Sequence, residues 1–85
     1  MKSRAFTITT TSSEVVAAEP LTRSAWIHIG GNGIVYLGGS DVTVANGLPT
    51  EKHAVPLEIT ILAGETLHAI VSSGTESLRV LVEGD

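Results

Sequence analysis

Cysteine is absent from this chain of 85 residues, so neither a disulfide framework nor a thiolate metal site holds the fold together. Cations are scarce as well. Lys2, Arg4, Arg23, Lys52 and Arg79 face nine acids, for a formal net charge of −4. Nucleic-acid binding needs clustered Lys and Arg to neutralise phosphates, and this composition speaks against DNA or RNA as a partner. Aromatic residues are three in all, Phe6, Trp26 and Tyr36, which points to packing or interface duty before a sugar-binding platform. No apolar run approaches the roughly 20 residues of a membrane-spanning helix. The opening "MKSRAFTITT" carries two cations but no apolar h-region, so the chain reads as soluble and unprocessed, with no membrane partner.

What is present is alternation. "AFTITT" sets Phe6 and Ile8 against Thr7 and Thr9, and "RSAWIHIG" sets Ala25, Ile27 and Ile29 against Trp26 and His28, the period-2 pattern of half-buried strands. "EVVAAEP" is a short apolar piece closed by Pro20, and "PLEITI" alternates Leu57, Ile59 and Ile61 with Glu58 and Thr60. A tight turn at Gly31-Asn32 predicts a hairpin that pairs Ile29 with Ile34, Ile27 with Tyr36 and Trp26 with Leu37. A turn at Ser73-Gly74 predicts a second hairpin, with Leu67 beside Val80 and Ala69 beside Leu78. No segment sustains a helical period, and Val, Ile and Thr prevail in the candidate elements. The expectation is one all-β domain over 1–85, a small antiparallel β-sandwich or jelly-roll-like barrel of about seven short strands. A chain this short buries only about 60–70% of its unfolded surface, which favours self-association.

Six of the nine glycines fall within "GGNGIVYLGGSDVTVANGLP", Gly30 to Pro49. A dinucleotide fingerprint requires a third glycine where Tyr36 stands and a helix beginning there, and a phosphate loop requires a Gly-Lys-Ser/Thr ending. Neither is present. Turn chemistry accounts for the cluster: Gly31, Asn32 and Gly33 supply positive φ at a hairpin, Gly38 and Gly39 permit a bend, and Asn46-Gly47 turns the chain before Pro49.

Catalytic and metal-binding patterns are missing too. His28, His53 and His68 occur at no metal-ligand spacing, and a cupin-type site needs His-x-His with a nearby Glu. "GSDVT" around Ser40 and Asp41 lacks the Gly-x-Ser-x-Gly elbow and suits an Asx or Ser turn. The expectation is no catalytic residue, no cofactor and no metal site, hence a chain that is not an enzyme. Trp26, His28 and Tyr36 are the candidates for an oligomer interface or a ligand face.

"GNGIVYLGGSDVTVANGLP", followed by "PLEITILAGETLHAIVSSGTESLRVLVE", resembles a family of small tailed-bacteriophage virion structural proteins, some of which are capsid decoration proteins. The likeness runs from Arg23 to Glu83 and is most specific from Val35 to Val44. His68 replaces the tyrosine common in the pattern, and "TEKHAV", Thr50 to Val55, departs from it. The resemblance implies a non-enzymatic head-cement protein on the outer surface of the capsid, made in the host cytoplasm. Its implied partners are the major capsid protein and copies of itself, with a trimer favoured. Residues 1–13 are then either a contact arm or the domain's leading strand, with Lys2, Arg4 and Phe6 as candidate capsid contacts. Two rivals remain. A tail, baseplate or host-receptor module would use Trp26 or Tyr36 on a carbohydrate, and a small cupin-like enzyme would bring His28, His53 and His68 together.

Overall fold

The alternating segments do form strands in the computed structural model, which describes residues 1–84; only Asp85 lies outside. There are eight: β1 (Lys2–Ile8), β2 (Ser13–Val16), β3 (Arg23–Ile29), β4 (Val35–Gly38), β5 (Leu48–Thr50), β6 (Leu57–Ile61), β7 (Leu67–Ile70) and β8 (Glu76–Val82). They make two antiparallel sheets, ordered β1-β8-β3-β6 and β2-β7-β4-β5. This interleaving of early and late strands is the two-Greek-key order of an eight-stranded jelly roll. The Cα radius of gyration, 11.8 Å, matches the roughly 12 Å of a folded single domain of this length.

Alternation sets which side chains enter the space between the sheets. On β3 Ala25, Ile27 and Ile29 point inward, on β8 Leu78, Val80 and Val82, on β4 Val35 and Leu37, and on β7 Leu67 and Ala69. With Ile8, Val15, Val16, Ile61 and Val71 they form one buried cluster, against which Phe6, Leu57 and Ile59 pack. Aliphatic, β-branched side chains suit this geometry because their stiff rotamers fill a pleated surface at little entropic cost.

The two expected hairpins are not there. Strands β3 and β4 belong to different sheets: Ile29 pairs with Leu78, Ile27 with Val80 and Leu57, and Trp26 with Leu81 and Glu58, while Tyr36 pairs with Ile70 and Pro49. Likewise Leu67 pairs with Val16 and Ala69 with Leu37 and Ser13, while Val80 and Leu78 pair with β1 and β3. In both cases the chain arches across the sandwich; Leu67, Ala69, Leu78 and Val80 all face the core, from opposite sheets, whereas Trp26 and Tyr36 turn to the outer faces and Ile34 is exposed. At the second turn a hairpin and an arch bury the same alternate residues; at the first, the loop backbone excludes the hairpin. A tight hairpin at Gly31-Asn32 needs positive φ at its centre, and among the described residues positive φ occurs only at Gly64, Gly74 and Gly84. At Gly74 the φ of +66° does serve the expected turn, but as the tip of an arch.

The remaining loop glycines therefore act through their missing side chains. A Cβ on Gly31 would collide with the Glu76 carboxylate, and one on Gly33 with the same group. Gly33 N–H donates to Glu76 Oε2 at 2.8 Å, and Gly30 N–H donates to the Ser77 carbonyl at 3.0 Å. The glycine-rich loop thus holds an anion after all: the chain's own Glu76. This ties the β3–β4 arch to the start of β8. A Cβ on Gly47 would come within 2.8 Å of Tyr36 Cβ and 3.0 Å of the Thr43 carbonyl, atoms too close to the backbone to move aside. The strand overlooked in the sequence, β5, is three residues long and contains Pro49; it survives because it lies at a sheet edge, where a missing N–H is tolerated.

One charge is inside. Arg23 continues the inward row of β3 and is 1% exposed. Its Nη2 donates to the Ala17 carbonyl at 2.8 Å, fastening the loop between β2 and β3, whereas Nε and Nη1 have no acceptor among the described residues.

Gly47→Ala is expected to lower stability by about 1–3 kcal/mol through overpacking, measured by denaturant melts. Gly31→Ala should cost less, because the carboxylate it meets is the end of a flexible side chain. Its cost should largely vanish in a Glu76→Ala background, and full additivity of the two changes would contradict the cradle. Arg23→Met, which keeps volume and removes a buried charge, should be neutral or stabilising by up to about 4 kcal/mol. Arg23→Ala should destabilise by roughly 2–5 kcal/mol through the cavity it leaves; a loss of that size in Arg23→Met would show that the charge itself is needed.

Candidate functional site

The outer face of the β1-β8-β3-β6 sheet is built by the residues that alternation turns away from the core. Cross-strand register arranges them in two rows. Ser3, Leu81, Trp26 and Glu58 lie side by side in one, and Ala5, Arg79 and His28 in the next. Ser3 and Ala5 are small where Trp26 is large, so the surface drops from β3 towards β1. The loop 51–56 closes the other side, anchored by His28 Nε2, which donates to the His53 carbonyl at 3.2 Å. That bond requires the proton on Nε2 and leaves Nδ1 of the neutral ring as an acceptor.

The result is an open groove of about 440 Å³ lined by Trp26, His28, Pro56, Arg79 and Leu81, with the Ser3–Ala5 stretch of β1 and Val80. Trp26, His28 and Leu81 are half-buried, and Arg79 is exposed. Of the exposed cations, Arg79 stands in the groove rows, and Lys52 precedes the loop residue that His28 anchors. Lys2 and Arg4 pair with the inward Val82 and Val80, on the side of the sheet away from Ser3 and Ala5. The fifth cation, Arg23, is in the core. Of the acids, Glu58 stands beside Trp26 on β6, and Glu51 begins the loop. Glu14, Glu19, Asp41, Glu65, Glu76 and Glu83 lie in other elements.

Of the candidate residues, the structure brings Trp26 and His28 together and separates Tyr36 from them. Tyr36 is on the outer face of the other sheet, in a row with Pro49 and Ile70. His68 is on that face too, opposite Glu14, and its Nδ1 lies 3.3 Å from Thr66 Oγ1. His28 and His68 thus occupy opposite faces and do not converge on one cavity with His53, as a cupin-type site would require. Among the described residues no group of three His, Asp or Glu is placed to hold a metal ion. Lys2 and Arg4 are exposed on β1, but Phe6 packs against the core. Residues 2–8 are not an arm: they pair with β8 along their whole length.

Arg79, Leu81 and Pro56 belong to this face and were not singled out in the sequence. The alternation of "SLRVLV" does turn Arg79 and Leu81 outward. Nothing local, however, reveals that β8 lies between β1 and β3, which is what brings Arg79 beside His28.

A second, more enclosed space of about 250 Å³ lies at the open side of the sandwich between β1 and β2, where Arg4 meets Glu14, Glu19 and the Val15–Ala17 backbone. Comparison of this chain with protein families, curated proteins and solved structures finds no match.

Proposed function

We propose that this chain is a non-enzymatic virion structural module, a decoration protein that attaches to the assembled head shell of a tailed bacteriophage as a homo-oligomer. The observation that carries the reading is the groove itself, where the half-buried Trp26 and Leu81 stand with the exposed Arg79 on one outer face. Aromatic and arginine side chains together are the usual composition of protein-docking hot spots. The sequence pattern from Arg23 to Glu83 supplies the shell as the partner. A jelly roll with both outer faces half-apolar suits a cement, because it adheres through area and shape and needs no reacting group.

Self-association follows from what a single chain leaves uncovered. Leu48, Val44 and Ile34 are exposed in and around the β4–β5 region, and Tyr36, Pro49 and Ile70 form a row on the same sheet. Closed threefold symmetry would cover such surface without leading to open-ended fibres. Trp26 in an open groove also favours a second reading, a tail or receptor-binding module that takes a surface carbohydrate.

Light scattering at micromolar concentration is expected to give the mass of a trimer, and a concentration-independent monomer would remove that part of the proposal. Purified protein should co-sediment with expanded heads that lack it and raise their resistance to heat. Because β1 is integral to the sheet, the informative variants are point changes. Arg79→Glu should weaken attachment about tenfold or more, with unfolding free energy changed by no more than about 0.5 kcal/mol. His68→Gln, on the opposite sheet, should leave attachment unchanged. Pelleting with host envelopes and never with heads would overturn the decoration reading in favour of the receptor module.

A further inference from the structure

We infer that β6 is a contact between copies of this chain: its free edge pairs, antiparallel, with the same edge of a second copy about a two-fold axis at Ile59. This goes beyond the shell reading and does not rest on it. The two sheets end in four edge strands, β1, β6, β2 and β5, and an open edge invites pairing with another chain unless something blunts it. Three are blunted. On β1 the charges Lys2 and Arg4 pair with the inward Val82 and Val80, β2 is bulged between Glu14 and Val16, and β5 is three residues long with Pro49 at its centre. β6 carries none of these devices: Leu57–Ile61 pairs with β3 in unbroken register, contains no proline, and turns Leu57, Ile59 and Ile61 inward. Leu57 and Ile59 are only partly buried, and Val55 and Leu62, which flank the strand, are 72% and 53% exposed.

Register identifies the free backbone groups. Gly30 N–H donates to the Ser77 carbonyl and Glu83 N–H to the Ser24 carbonyl, so even-numbered residues of β3 bond to β8, and Arg23, Ala25 and Ile27 bond to Ile61, Ile59 and Leu57 of β6. Glu58 and Thr60 therefore turn their N–H and C=O groups to the open edge, where they have no backbone partner among the described residues. By the same parity Ser3, Ala5 and Thr7 carry the free groups of β1. Two copies related about Ile59 set Glu58 of each opposite Thr60 of the other, which closes a hydrogen-bonded pair at each end of the contact. The carboxylate then lies beside a hydroxyl donor. Sliding the strands by two residues either sets Glu58 against Glu58 or leaves Glu58 beyond the paired strand, and a slip by one turns the apolar row outward. On the inner side Ile59 meets Ile59 and Leu57 meets Ile61, while the exposed Leu62 comes beside Pro56 of the second copy. The pair forms one continuous sheet whose outer faces look the same way, with the two Trp26 residues three strand spacings apart, about 14 Å across the strands. A contact of this size is smaller than the roughly 800 Å² per partner of a stable interface, so it forms above the micromolar range, or where attachment holds copies close, and joins one threefold assembly to another.

The test is amide hydrogen exchange on the intact protein, followed by NMR, with the mass of the same samples measured by sedimentation from about 10 µM to about 1 mM. The expected result is that mass rises to an even number of copies while the Glu58 and Thr60 amides become about tenfold or more better protected. The Ser3, Ala5 and Thr7 amides, on the blunted β1 edge, should stay unprotected throughout. Thr60→Pro removes a donor that bonds nothing within the chain, a change a sheet edge tolerates; it should weaken the association about tenfold or more while the rest of the amide spectrum is retained. If that variant fails to fold, exchange in the unaltered chain decides alone. Protection of both amides at every concentration, in an assembly of even copy number, would support the inference as a tighter contact. A single or odd copy number throughout would overturn it. So would a rise in mass that leaves Glu58 and Thr60 unprotected, or that protects Ser3, Ala5 and Thr7 in their place.

Discussion

The structure depends on one constraint: nearly every connection carries the chain from one sheet to the other. Only β4 and β5 are joined within a sheet. Each remaining strand must find its ladder partners far along the sequence, as β1 does with β8 and β3 with β6 and β8. Local hydrogen bonding alone therefore forms little of this fold. The arches hold because their loops are fastened at specific atoms: Gly33 N–H to Glu76, Gly30 N–H to the Ser77 carbonyl, Val71 N–H to the Thr9 carbonyl, and Arg23 to the Ala17 carbonyl. Loop-closure entropy has to be met before such distant contacts form, which makes this a slower-folding topology than its size suggests.

The same constraint explains what the sequence revealed. Period-2 alternation identified the inward residues of β1, β3, β6, β7 and β8, because inward and outward are set by the pleat and by nothing more distant. Pairing was not legible. Ile27 with Tyr36, and Leu67 with Val80, are each in plausible hairpin register, yet each pair is divided between sheets. For Leu67 and Val80, both inward, alternation alone cannot distinguish a neighbour in the ladder from a neighbour across the core. The glycines misled for a related reason. Gly31 and Gly47 look like positive-φ turn residues, but their requirement is room for the Glu76 carboxylate and for Tyr36 and Val42, atoms that reach them only in the finished fold.

The candidate site divides along the same line. Trp26 and His28 share a strand and a face, so their association was legible. Tyr36 was grouped with them through a hairpin that does not form, and it faces the other way. Phe6 was a candidate capsid contact in a segment open as an arm or a leading strand; that segment pairs with β8 as a strand, and Phe6 packs against the core. Arg79 is the converse case: it stands beside His28 only because β8 inserts between β1 and β3. An outer face of a jelly roll is assembled from distant segments, and its chemistry is visible strand by strand but not as a surface.

The central claim is that this assembled face, over β1, β8 and β3, is the surface the protein uses. The most direct measurement is an electron cryo-microscopy reconstruction of heads carrying the protein, at a resolution that places its two sheets. The account predicts the β1-β8-β3 face against the shell, with Trp26 buried in the contact and acidic shell residues opposite Arg79. A reconstruction in which that face is open to solvent, and the protein is held through its other sheet or its loops, would contradict it.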